Sequence, residues 1–276
     1  MTGKKKVKVF GTMFGVYLLF TAWGFRMQTV NYTAESDKIK RPVRIVFISD
    51  LHNCFYGRNQ SKLMGAVEKA DPDIVLFDGD VLDMWGGTRY ATEIMEKVSK
   101  KYKCAYTPGN HEEEREFREK FYSQVSGMGI PVLMGDKCTF DVNGQKINIF
   151  GTVDDLAQVP HQSEYPTQLE SCIAQAEQNE YNILLAHQPE QINSFIEGNF
   201  DLILSGHAHG GQWRLPFVLE QGLYAPNQGI FPKYTNGKYT YGNKTHIISK
   251  GLAKPLRMIF IPRIYNRPEF SVIDIF

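Results

Sequence analysis

The sequence predicts a layered α/β or α+β sandwich, and three observations predict it. From residue 43 onward, short apolar runs alternate with stretches of helical spacing. Several of the runs are β-branched and nearly continuous, as expected of buried strands. A chain of 276 residues that is 42% hydrophobic and 22% charged also buries a sizeable core, which excludes a disordered, collagen-like or disulfide-knotted protein.

The first segment is distinct. Lys4, Lys5, Lys6 and Lys8 precede an uncharged run at 9–25, and Arg26 follows it. This length lies at the lower end of roughly 17–25 residues for a spanning helix. The lysines place the N-terminus in the cytoplasm and the rest of the chain outside. Residues 1–26 are therefore expected to be a single-pass membrane anchor. The alternative, a cleaved signal and a secreted protein, lacks a small-x-small site, because Thr21-Ala22-Trp23 matches poorly. Residues 27–42 are polar and without clear periodicity, and are expected to form a linker to a domain at 43–276. Beyond residue 26 the balance turns four charges negative, so the domain carries no basic footprint for nucleic acid. Cys54, Cys104, Cys138 and Cys172 form no short-spaced framework, so disulfides are not indicated.

Within the domain, 43–48 reads as a strand, 61–69 as a helix through Leu63, Ala66 and Val67, and 74–77 as a second strand. A strand at 103–106 and a hairpin of 139–142 with 147–150 across Asn143-Gly144 follow. A helix at 169–176 precedes strands at 182–186 and 202–204. Helices packed on both sides of the sheets complete the expected layers.

The apolar runs end abruptly in metal-binding or acid–base side chains. The endings are Asp50-Leu51-His52, Gly79-Asp80, Gly109-Asn110-His111, His187, and Gly206-His207-Ala208-His209. Ligands of open sheets gather beyond the carboxyl ends of strands, so these five segments are expected to form one site. In Asp50-Leu51-His52 an extended backbone would aim carboxylate and imidazole the same way while Leu51 turns inward. Gly79 lets the backbone approach an ion closely, and the two oxygens of Asp80 can bridge two ions. Asn110 has a competing role as a helix N-cap, since 112–116 reads as a solvated first turn. Singly, each segment also suits an ordinary loop, but together they point to a metal site. Imidazole and carboxylate donors suit manganese, iron or zinc, and spacing does not choose among them.

The ordered set Asp50-x-His52, Gly79-Asp80-x-x-Asp83, Gly109-Asn110-His111-Glu112, His187 and Gly206-His207-x-His209 resembles the calcineurin-like metallophosphoesterase superfamily. The resemblance runs from about residue 43 to the C-terminus. Gly206 to Gln212, Tyr224-Ala225-Pro226-Asn227-Gln228-Gly229 and Tyr265-Asn266-Arg267-Pro268-Glu269 are similar to its bacterial membrane-associated or exported branch, where some relatives cleave the pyrophosphate of lipid-linked nucleotide sugars.

The resemblance implies a four-layer double β-sandwich flanked by helices and holding two divalent ions. Asp50, His52 and His209 would take the first ion, Asn110, His187 and His207 the second, and Asp80 would bridge them. His111 would face the leaving group, either protonating it or stabilising its charge, and Asp83 would orient the ring. With Asp50, Asp80 and a hydroxide, two ions leave a formal balance near +1, which attracts an anionic phosphate. Paired ions activate a water for in-line attack at phosphorus.

Two departures narrow the substrate. Protein phosphatases of this superfamily carry an arginine directly after the second Asp of the Gly-Asp motif, where this chain has Met84-Trp85-Gly86. Ala208 stands where many relatives have threonine. Phe55, Tyr56, Trp85, Trp213 and Tyr224 are read as packing residues rather than a substrate wall, and Arg257, Arg263 and Arg267 as surface salt-bridge partners or phosphate ligands. Asp78, in an apolar run, suits either a buried partner of the donors or an exposed position.

The expected function is hydrolysis of a phosphodiester or pyrophosphate bond in a phosphorylated small molecule or lipid. A non-catalytic metal-stabilised envelope module is the alternative, and a nuclease a third, opposed by the acidic domain.

Overall fold

The computed structural model describes residues 3–114, 116–153, 167–215, 217–255 and 262–276. In chain order its elements are α1 (Gly3–Gly24), β1 (Gln28–Ala34), β2 (Val43–Ser49), α2 (Ser61–Ala70), β3 (Ile74–Asp78), α3 (Arg89–Ser99) and β4 (Lys103–Thr107). The short α4 (Asn110–Glu113), α5 (Arg118–Gly127), β5 (Lys137–Val142), β6 (Gln145–Thr152), α6 (Gln168–Gln175) and β7 (Tyr181–Ala186) follow. Then come α7 (Ile192–Phe195), β8 (Leu202–Ser205), β9 (Tyr224–Ala225), β10 (Gly229–Ile230), β11 (Gly237–Tyr241), β12 (Lys244–Ile248) and β13 (Glu269–Ile275).

Two sheets face each other. One runs β1-β13-β2-β3-β4 and the other β11-β12-β8-β7-β6-β5, with β9 and β10 as a separate ribbon. Strands β2, β3 and β4 are mutually parallel, as are β6, β7, β8 and β12. Between the sheets lies an apolar core including Ile45, Phe47, Leu76, Ile149, Ile183 and Leu204. The outer face of the first sheet is covered by α2, α3 and α5, whose inward residues include Leu63, Val67, Ile94, Val98, Phe121 and Val125. In α3 the buried set Ala91, Ile94, Met95 and Val98 keeps the i, i+3, i+4, i+7 spacing of one helical face. The second sheet is covered by α6 and α7 through Leu169, Cys172, Ile192 and Phe195. This gives the four layers, helix, sheet, sheet, helix.

The Asn143-Gly144 hairpin forms as expected. Asn143 and Gly144 both take positive φ, 55° and 75°, which matches the twist of the flanking strands β5 and β6.

Two expectations are corrected. The stretch read as a linker contains β1, which pairs in parallel with β13 from Gln28↔Glu269 to Ala34↔Ile275. Beyond it, Lys38 ion-pairs with Asp201 at 2.8 Å, so this stretch is fixed to the domain. Its exposed, alternating edge pattern hid a strand whose partner lies at the far end of the sequence. The transmembrane span is also not found. Among the described residues no helix is long and apolar enough to cross a membrane. The uncharged helical stretch ends at Gly24 and reaches about 24 Å at 1.5 Å per residue, short of a hydrocarbon core of about 30 Å. Gly24 is itself drawn into the domain, where a Cβ would lie 3.1 Å from Pro255 and 3.4 Å from the Arg263 carbonyl. None of the four cysteines is in a disulfide.

Phe47 is fully buried between the sheets. Phe47→Ala is expected to lower stability by about 3–5 kcal/mol through lost transfer energy and a residual cavity. Urea denaturation measures this, and a loss under about 1 kcal/mol would contradict the packing described.

Candidate metal centre

The carboxyl ends of β2, β3, β4, β7 and β8 bring the five polar segments together. Asp50 and His52 follow β2, Gly79 and Asp80 follow β3, Asn110 and His111 open α4 after β4, His187 follows β7, and His207 and His209 follow β8. Three groups of donor atoms lie within coordination reach of a common point: Asp50, His52 and His209; His52, Asp80 and His111; and Asp80, His187 and His207.

Asp80 sits at the junction. Its Oδ2 is 3.3 Å from His187 Nε2, 3.8 Å from His52 Nε2 and 3.7 Å from His111 Nε2. Its Oδ1 accepts the backbone N–H of His111 at 3.0 Å. Asp50 Oδ1 accepts the His207 N–H at 2.9 Å and lies 3.8 Å from both His187 Nε2 and His209 Nδ1. The Asp50-Leu51-His52 segment is not extended as expected. Asp50 and His52 take φ of 48° and 46°, and the turn delivers both side chains while Leu51 is fully buried. Gly79, at φ 57°, makes room for an imidazole rather than an ion: a Cβ there would lie 2.1 Å from His187 Nδ1.

The donors fit a cation. Asp50 Oδ2, His52 Nε2, Asn110 Oδ1 and His187 Nε2 are buried and have no hydrogen-bond partner. Four orphaned acceptors or ligand atoms on converging loops are costly unless something positive satisfies them. Burial, with the His187 charge, pushes His207 down to about 3, and burial, with His52 and Arg263, holds His209 well below the usual imidazole range. Both rings are thus neutral, the form in which imidazole binds metal. His187 differs: burial opposes its charge, but Asp80, Asp78 and Asp50 together hold it well above the usual value.

Several residues around the donors were not foreseen. Glu112 was read as solvated, yet it is fully buried. Its carboxylate accepts the N–H groups of Gly109 at 2.8 Å, Asp80 at 2.8 Å and Leu82 at 2.6 Å, and so ties the two metal-bearing loops together. Burial, reinforced by Asp80, raises it to about 7. Its position as third residue of α4, reaching back to the residue before the helix, was the available signal. The residue before α4 is Gly109, so Asn110 is not the cap. Asp78 is fully buried with Oδ2 3.5 Å from His187 Nδ1, where it fixes which ring nitrogen faces the centre. Burial lifts its carboxyl to about 6.

Asp83 Oδ1 stands 3.9 Å from His52 Nδ1 and 3.8 Å from His111 Nδ1. The hydrogen bond that holds His111 comes instead from the Met84 N–H, 3.1 Å from Nδ1. Arg263 is not on the surface. It is fully buried, donates to the Lys250 carbonyl at 2.5 Å and lies 3.2 Å from His209 Nδ1. Arg267 donates to the carbonyls of Arg26 and Met27, and Arg257 lies outside the described residues. Among the aromatic residues, Tyr56 is buried and donates to the Leu252 carbonyl at 2.6 Å, and Phe55, though half-exposed, packs edge-on against the Tyr90 ring at 5.4 Å, whereas Trp85, Trp213 and Tyr224 are exposed.

The profile of the calcineurin-like phosphoesterase family matches residues 43–211. The uncharacterized Bacillus subtilis protein YpbG is 29% identical over 86% of this chain and 85% of its own length. The Escherichia coli phosphodiesterase YaeI is 25% identical over 85% of this chain and 82% of its own. An uncharacterized Helicobacter pylori metallophosphoesterase is 28% identical over 81% of this chain, which spans 58% of that relative. The Haemophilus influenzae NAD nucleotidase NadN shares the fold with a TM-score of 0.51 and 18% identity, covering 77% of this chain and 51% of its own. With buried donors gathered at the strand ends and the family profile spanning both sheets, the chain belongs to the calcineurin-like phosphoesterase family and is a phosphoester hydrolase.

Proposed function

We propose that the protein hydrolyses a phosphodiester or pyrophosphate bond of a lipid-linked or other envelope substrate, using two divalent ions. The observation that carries this reading is the pairing of two donor groups around Asp80, with Asp50, His52 and His209 on one side and His187 and His207 on the other. Asn110, whose buried Oδ1 lacks a partner, completes the second group. Manganese, iron and zinc all suit these donors. When bound, the ions would supply Lewis-acid charge and an activated water.

The chain's own residues do the rest. His111 Nδ1 accepts the Met84 N–H, so the ring proton resides on Nε2, the nitrogen facing Asp80. Burial also lowers the His111 pKa and keeps the ring neutral. A neutral ring with its proton on Nε2 donates a hydrogen bond to the departing oxygen and stabilises charge there. Full protonation would place a second N–H against that of Met84, so of the two roles foreseen for His111 charge stabilisation is favoured. Asp78 and Asp83 hold the His187 and His52 rings, and Glu112 holds the loops. An envelope location is supported by the lysines ahead of the exposed apolar residues of α1.

Asp80→Asn is expected to lose metal and to lower hydrolysis of bis(p-nitrophenyl) phosphate by more than about 10³-fold, read by metal analysis alongside rate. His111→Ala is expected to keep its metal and lower kcat by about 10²–10³-fold, with KM little changed. If the metal-loaded wild-type protein turned over neither the diester nor a panel of lipid pyrophosphates, the hydrolase assignment to these bonds would fail.

A further inference from the structure

Residues 213–215 and 217–231 leave the metal centre immediately after the loop that carries His209. They are pinned back to it: the Leu223 N–H donates to the Gly211 carbonyl at 2.8 Å, and Gly211 and Gly222 pack so closely that a Cβ on Gly211 would lie 2.0 Å from the Gln221 carbonyl oxygen. Further backbone bonds from Val218 and Leu219 to Leu215, and from Phe231 to Leu223, make the segment a built structure. Despite that order it turns large apolar side chains outward. Phe217 is 95% exposed, Val218 70%, and Ile230 and Phe231 69% each. Phe217 and Phe231 also hold left-handed backbone, φ 67° and 57°, which is unfavourable for a bulky residue. Ordered backbone that carries strain to display phenylalanine to solvent points to a surface that covers it.

The chemistry of that surface is indicated by what lies behind the crest. Phe217 and Leu219 also line a cavity of about 840 Å³ whose walls carry four cations, Arg214, Lys238, Lys250 and Arg267, against one carboxylate, Glu220. Lys250 is engaged by Glu269 at 3.2 Å, which leaves the other three to dominate the field. Arg267 holds the carbonyls of Arg26 and Met27, so α1, with its lysines and exposed Phe10, Met13, Phe14 and Leu19, is rooted at the same rim. An apolar crest bordered by cations complements the headgroup region of an anionic bilayer.

We propose that residues 213–215 and 217–231 form a membrane-docking crest, in which Phe217, Val218, Ile230 and Phe231 enter the interfacial layer of an anionic bilayer while Arg214, Lys238 and Arg267 hold lipid phosphates. This extends the envelope location proposed above and is independent of the hydrolytic chemistry. It requires no spanning helix.

The test uses the full chain with vesicles of phosphatidylcholine alone or with one quarter phosphatidylglycerol. Phe217→Ser with Val218→Ser is expected to weaken partitioning to the mixed vesicles by about tenfold or more, and Lys238→Gln by about fivefold, an effect absent on phosphatidylcholine alone. Because α1 can contribute to binding, depth is read separately: in a Cys138→Ser background, a nitroxide at Val218→Cys is expected to become oxygen-accessible and shielded from aqueous nickel on vesicles. A label that stays water-exposed on bound protein, failure to bind the mixed vesicles, or a crest buried in a second copy by sedimentation velocity would overturn the proposal. Turnover of bis(p-nitrophenyl) phosphate by Phe217→Ser/Val218→Ser, set beside wild type, tests the hydrolase reading independently of docking.

Discussion

The site is organised around one buried carboxylate. Asp80 offers Oδ2 to His52, His111 and His187, uses Oδ1 to hold the His111 backbone, and gives its own N–H to Glu112. Movement of this one side chain would separate both donor groups at once. Its place is set by the parallel pairing of β2, β3 and β4, whose ends deliver Asp50, Asp80 and Asn110 to the same level. The rigid sheets thus supply the precision that loops alone lack.

This arrangement costs stability locally. Asp50, His52, Asp80, His207 and His209 all occupy left-handed backbone, where residues with a Cβ are disfavoured by roughly 1–2 kcal/mol each. Buried polar atoms add desolvation. The apolar layer between the sheets and the helix layers outside them provide the stability against which such strain persists. Glu112 limits the cost by satisfying three backbone N–H groups with one carboxylate.

The same economy extends outward. The segment that places His207 and His209 continues through Gly211 to Trp213, Arg214 and Leu215, and the buried Arg263 joins His209 to the carbonyl of Lys250 in the wall of the cationic cavity. Metal donors and outer surface therefore share one covalent and hydrogen-bonded path.

The sequence by itself determined the strands whose apolar runs are local and continuous, the Asn143-Gly144 turn, and the identities of the donors at the strand ends, because periodicity and spacing are properties of neighbouring residues. It did not reveal β1, whose partner β13 lies more than 200 residues away, nor the buried roles of Glu112, Asp78 and Arg263, each of which looked like a charge in a loop or strand. It also suggested a spanning segment at the N-terminus, where no described helix is long and apolar enough to cross a membrane. Only the tertiary structure decided these, because whether a charged side chain is buried or solvated depends on which distant elements close over it.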